Sequence, residues 1–97
     1  MASKALLMLL EAQPGKGDAV EDFLVWARLL IEKEPDTKPW LAVRFNATTF
    51  GIFDAFPDEE ARHAHLAGPV GQELEEKAEL FAAPPQIVEL DVLADKL

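Results

Sequence analysis

Cysteine is absent from the 97 residues, which excludes disulfides, thiolate metal sites, iron–sulfur clusters and cysteine nucleophiles. Tyrosine is absent too, so no phenolic side chain is available as an acid or base. Basic residues are scarce: nine Lys plus Arg stand against eighteen Asp plus Glu, a net charge of −9. Such a chain lacks the clustered cations that displace counterions from nucleic acid or grip an anionic membrane surface. No apolar run approaches the roughly 20 residues that span a bilayer. Residues 5–10 are only strand length, and no basic segment with a cleavage site follows Met1. The glycines, Gly15, Gly17, Gly51, Gly68 and Gly71, are scattered and build no phosphate loop or dinucleotide fingerprint. The expectation is a cytoplasmic protein that binds neither nucleic acid nor membrane. Residues 1–97 are expected to form one domain, and a hydrophobic content of 49% suffices for one core.

Residues 48–66, TTFGIFDAFPDEEARHAHL, concentrate most of the chemistry. Their first half has the β-branched and aromatic enrichment of a buried strand. Pro57 stops it, and Asp58 with Glu59 and Glu60 opens a helix by capping it and opposing its positive end. That helix carries both histidines, His63 and His65. Two positions apart, they point about 200° from one another around the axis and cannot share a site, which rules against a metal pair. His65 is the candidate for a substrate hydrogen bond or a base, because imidazole titrates near neutrality.

Upstream, residues 4–13 are almost continuously apolar, as a central strand covered on both faces would be. Residues 14–17 are a turn. Asp18 is expected to cap a helix with Glu21 completing a capping box, and Val20, Phe23, Leu24, Ala27, Leu30 and Ile31 form its buried stripe. Pro35 ends that helix near Glu34. Val25, Trp26 and Leu29 widen the apolar face, either as intramolecular cover or as a subunit contact. Residues 40–46 alternate as a strand and pair with 49–56 in a hairpin. A one-residue slip decides which face Arg44 shares, with Asp54 its expected partner because a charge in an apolar strand must be paired. After Gly68 and Pro69, a second helical piece over 70–82 buries Val70, Leu74, Ala78 and Phe81. Residues 86–94 read as an outer strand.

This order, βαββαβ with the second helix broken, gives an α+β fold: a ferredoxin-like plait of four antiparallel strands with helices on one face. The other face is left bare although most strands are apolar on both sides. Trp40, Phe50 and Phe53 are expected on that bare face, and a second copy covering it would make a homodimer.

The pieces Leu10-Glu11-Ala12, Pro14-Gly15-Lys16, Thr49-Phe50-Gly51-Ile52-Phe53-Asp54, Pro57-Asp58-Glu59-Glu60, Ala64-His65-Leu66 and Pro85-Gln86-Ile87 together resemble the antibiotic biosynthesis monooxygenase domain family of the dimeric α+β barrel superfamily. The resemblance covers essentially the whole chain. It implies a homodimer with a cavity in each protomer between sheet and helices. It also implies oxidation of phenolic or quinol-type aromatic small molecules by dioxygen with no cofactor, the deprotonated substrate giving the first electron to oxygen. On that reading His65 and Arg44 stabilise the anion, while Trp40, Asp54 and Phe53 bind the substrate. A haem-degrading branch of the superfamily is similar but does not fit. His65 stands where that branch has tryptophan and Glu75 where it has its haem histidine, and the first strand has no asparagine. A non-catalytic ligand-binding or assembly domain, or a lactone isomerase on the same scaffold, are the alternatives.

Overall fold

The computed structural model describes residues 2–96. Strand β1 (Lys4–Glu11), helix α1 (Gly17–Ile31), the hairpin β2 (Trp40–Arg44) and β3 (Thr49–Phe56), helices α2 (Glu59–Leu66) and α3 (Pro69–Glu76), and strand β4 (Gln86–Asp91) follow in order. One antiparallel sheet runs β2-β3-β1-β4. This is the expected α+β ferredoxin-like plait, with the apolar β1 at its centre and β4 at an edge.

Register assigns the faces. Leu6, Met8 and Leu10 lie with Phe50, Ile52 and Asp54 towards the helices, because each is paired directly or across one strand with a residue of the same parity. Val20, Phe23, Leu24 and Ile31 of α1, Val70 and Leu74 of α3, and Phe81 complete this core. The opposite face carries Leu7, Leu9, Phe53, Val88 and Leu90, all half-buried, and the exposed Leu41, Val43 and Phe45. No described element covers it. The bare face is therefore present, but two of the three aromatics expected on it are elsewhere. Trp40 pairs with Asp54 and Arg44 with Phe50, so Trp40 packs against the core and Phe50 is wholly buried within it. Only Phe53 faces outward.

The hairpin register is pinned by Asn46, whose Oδ1 accepts from the backbone N–H of both Thr48 and Thr49 at 2.9 Å. Asp58 caps α2 as expected, its carboxylate accepting from Ala61 N at 2.8 Å. The capping box on α1 is overturned. Lys16 occupies the cap position with no side-chain bond, because Arg44 draws both acids to itself: its Nη1 donates to Asp18 at 3.2 Å and to Glu21 at 2.9 Å. The remaining guanidinium donors reach the carbonyls of Asn46 and Ala47, which ties the hairpin loop to the start of α1. The expected Arg44–Asp54 pair does not form, since the register sets the two at opposite ends of β2.

The helix expected over 70–82 stops at Glu76, followed by a 3₁₀ turn at Ala78–Leu80. Here tertiary pairing outcompetes helix continuation. Gln13 N donates to Leu80 O and Ala82 N to Glu11 O, forming a bridge that lays Phe81 beside Ala12 and drops its ring into the core. Ala78 is left exposed rather than buried. On α1, Val25 and Leu29 are exposed and do not serve as intramolecular cover, whereas the half-exposed Trp26 ring lies beside Phe23 and Lys77.

Candidate functional site

His65 is at the centre of a buried ionic cluster drawn from three separate elements. Its Nδ1 lies 2.6 Å from Glu34 Oε1, in the connection after α1, and its Nε2 lies 2.9 Å from Asp54 Oδ2 on β3. His65 and Asp54 are both buried, with Asp54 only 2% exposed. Thr37 Oγ1 donates to Glu34 Oε1 at 2.9 Å, and the Phe56 ring lies against the imidazole with centroids 5.1 Å apart. An imidazole bonded to a carboxylate at each nitrogen donates at both only as imidazolium. Burial works to lower the His65 pKa, but the two carboxylates outweigh it, Asp54 more than Glu34, and the result lies above the ordinary histidine value. Among the described residues three buried side-chain polar atoms have no partner: Glu34 Oε2, Trp40 Nε1 and Arg62 Nε.

A raised folded-state pKa makes the ion cluster a source of stability that is complete below the unfolded value of about 6.5 and disappears as pH rises through the folded value. The melting temperature is therefore expected to fall as pH is raised above about 6.5. A His65→Gln variant should lack that slope over the same range; an identical slope in both proteins would contradict the assignment.

His65 also forms part of the wall of a cavity of about 720 Å³ between the sheet and the α2–α3 segment. Met8 and Ile87 supply the sheet side, while Leu66, Val70, Leu74 and Phe81 supply much of the rest. Gln72 and Glu75, both exposed, are its other polar lining residues. The expected cavity between sheet and helices thus exists, and its character is apolar with few polar groups, as small-molecule sites are.

The five residues singled out in the sequence are divided among three places. His65 and Asp54 are in direct contact. Trp40 and Arg44 line a second cleft of about 430 Å³ between α1 and β2, together with Leu24, Ala42 and Phe50. Phe53 points to the bare sheet face. Arg44 is held by four acceptors and lies over the Phe50 ring, 5.0 Å from its centroid.

Two charged residues with inward-facing partners, Glu34 in the His65 cluster and Arg62 apart from it, went unread in the sequence. Glu34 resembled a solvated helix end, and nothing local shows that it meets a histidine 31 positions on. Arg62 is buried, with Nη1 donating to the carbonyls of Ala5 at 3.2 Å and Leu90 at 3.1 Å, and with Glu59 and Glu89 as ion-pair partners. It joins α2 to the two strands beneath. The legible signal was its spacing: three residues before His65, it shares that residue's helical face. His63 is exposed. Among the described residues no group of three or more His, Asp or Glu side chains is placed to hold a metal ion, and no helix is long and apolar enough to cross a membrane.

No family model matches the sequence, and no curated protein matches it. Among solved structures, a protein of unknown function from Nitrosomonas europaea is 44% identical, with a TM-score of 0.97 over 100% of this chain and 95% of that one. A second Nitrosomonas europaea structure, described as a "putative antibiotic biosynthesis monooxygenase", is 15% identical with a TM-score of 0.83, covering 95% of this chain and 91% of its own. A Deinococcus radiodurans structure with the same description is 18% identical with a TM-score of 0.82, covering 97% and 96%. At those identities the likeness is one of fold.

Proposed function

The chain belongs to one family with the Nitrosomonas europaea protein of unknown function, and from the fold it shares with the antibiotic biosynthesis monooxygenase structures we propose that it is a cytoplasmic, single-domain, cofactor-free oxygenase of a phenolic or quinol-type aromatic compound. The observation that carries this reading is the apolar cavity with His65 in its wall and two carboxylates behind it. Two ionised carboxylates around one imidazolium hold one net negative charge, and a proton is its natural complement. A phenolic group meeting the wall at His65 passes its proton to the carboxylate side of this cluster, where Glu34 Oε2 is the acceptor without a donor, and the resulting electron-rich ring reacts with dioxygen. For an anthrone, the ring methylene and O2 become a ring carbonyl and water, one oxygen atom going to each product. The apolar wall excludes water while the ring is activated. Within this assignment Asp54 and Glu34 orient and charge His65. Arg44 fastens the hairpin, Trp40 packs next to Asp54, and Phe53 belongs to the subunit contact.

That contact is the second half of the proposal. Leu7, Leu9, Leu41, Val43, Phe45, Phe53, Val88 and Leu90 make a continuous apolar sheet face, larger in kind than isolated exposed side chains. A symmetric copy packed sheet to sheet covers it. Light scattering should report twice the 10.7 kDa chain mass at micromolar concentration. A lone 10.7 kDa particle would sink the dimer.

The test of the activity is oxygen uptake with anthrones and reduced naphthoquinols in air. Uptake above the buffer rate, lost under nitrogen and restored by air, is expected. A second reading, a ligand-binding protein without turnover, is favoured by one observation: both nitrogens of His65 are already bonded to carboxylates. Ligand binding with uptake no faster than buffer across the panel would select it. Product formation under nitrogen would instead select a lactone-isomerase type of reaction.

A further inference from the structure

The charges around the cavity sum to a negative excess. Its lining includes no Lys or Arg. Its inner wall has His65, whose two N–H groups are spent on Glu34 and Asp54, so the imidazolium is overcompensated by the acids behind it. Glu34 Oε2, buried in that cluster, is an acceptor without a donor. At the opening stands Glu75, exposed, on a helix whose last four residues, ELEE, include three glutamates. The chain as a whole carries −9. A ligand therefore meets negative potential both at the mouth and at the inner end, with low-dielectric apolar walls between them to focus it.

We infer that the cavity selects by charge: it accepts a neutral or cationic aromatic ligand that donates hydrogen bonds and rejects one bearing a carboxylate, with Glu75 the specificity-determining residue at the mouth. This rests on the reading of the cavity as the ligand site and deepens it, because the chemistry proposed there fixes the ring system but not its substituents. A hydroxyl or ammonium group finds acceptors in the cluster and at Glu75. An anionic substituent finds like charge and no donor, an arrangement that costs specificity-scale free energy even where solvent screens part of it.

The test uses three tricyclic probes alike in shape, 2-methylanthraquinone, 2-(aminomethyl)anthraquinone and anthraquinone-2-carboxylate, with dissociation constants from equilibrium dialysis. The carboxylate is expected to bind at least about tenfold more weakly than the methyl compound at low salt, and the gap should narrow near 0.5 M salt, as a screened interaction must. Glu75→Lys should close most of the gap by strengthening the carboxylate far more than the methyl compound. Equal or tighter binding of the carboxylate to the unmodified protein overturns the charge selection yet leaves the cavity as the ligand site. Failure of all three probes to bind overturns both.

Discussion

Replacing His65 by alanine is expected to lower the free energy of unfolding by about 3–5 kcal/mol, the cost of breaking a buried ion pair from one side. Asp54, only 2% exposed, and Glu34 would then share a pocket with no counter-charge and no donor from the ring. Against the roughly 5–15 kcal/mol that holds a small domain together, this is enough to bring the protein near its unfolding midpoint at ordinary temperature. Urea denaturation followed by tryptophan fluorescence would measure it. The mechanism makes a second demand that a mere cavity effect does not. Removing all three charges together, as His65→Leu, Asp54→Leu and Glu34→Met, should recover most of the loss, because well-packed apolar groups often replace a buried ion cluster without penalty. The triple variant should still bind an anthraquinone but show no oxygen uptake above buffer, which separates folding from proton acceptance. A loss below about 1 kcal/mol for His65→Ala would mean that the cluster is solvated and carries little.

Gly17→Ala should destabilise by about 1–3 kcal/mol, in the direction opposite to helix propensity. In an open helix the same change stabilises by roughly 0.5–1 kcal/mol. At Gly17 the added Cβ meets the Ala47 carbonyl oxygen far inside van der Waals contact, with Arg44 Nη2 at 2.8 Å. The obstacle is backbone, so the hairpin loop must back away from α1 and surrender the Arg44 bonds that tie them. Hydrogen exchange should quicken at Thr48 and Thr49, whose amides are held by Asn46, while amides around His65 remain protected. An unfolding midpoint equal to or above that of the parent would show that the loop moves at no cost.

Much of the fold was legible because local and long-range demands agreed. The apolar run in β1 could only be central, the α1 stripe had one side to bury, and Asp58 behind Pro57 could only start a helix. Failures occurred where a distant residue cast the deciding vote. Asp18 and Glu21 have the spacing of a capping box, but a guanidinium arriving from β2 offers a charged partner where a cap offers one backbone N–H. The period-3.6 pattern continued beyond Glu76, yet the edge of β1 at Ala12 captured Phe81 and ended the helix. Trp40 and Phe50 were assigned to the wrong face because period-2 alternation fixes which residues share a side, not which side meets the helices. At the site, His65 and Asp54 could each be suspected from residue type alone. Their union with Glu34 could not, for it depends on the angle at which the end of α1 returns past α2, and no pattern across a separation of 31 positions encodes that.

The place of β1 in the sheet has a consequence for the order of assembly. Lys4 is bonded across to Asp91, so nearly the first and nearly the last described residues are neighbours in the finished molecule. Until the C-terminal ribbon arrives, the middle of the sheet is a raw margin that any sticky ribbon from another nascent chain could fill. Strand β4 must therefore leave the ribosome before the sheet can close, and pairings of such long range make closure slow compared with helical proteins of equal size.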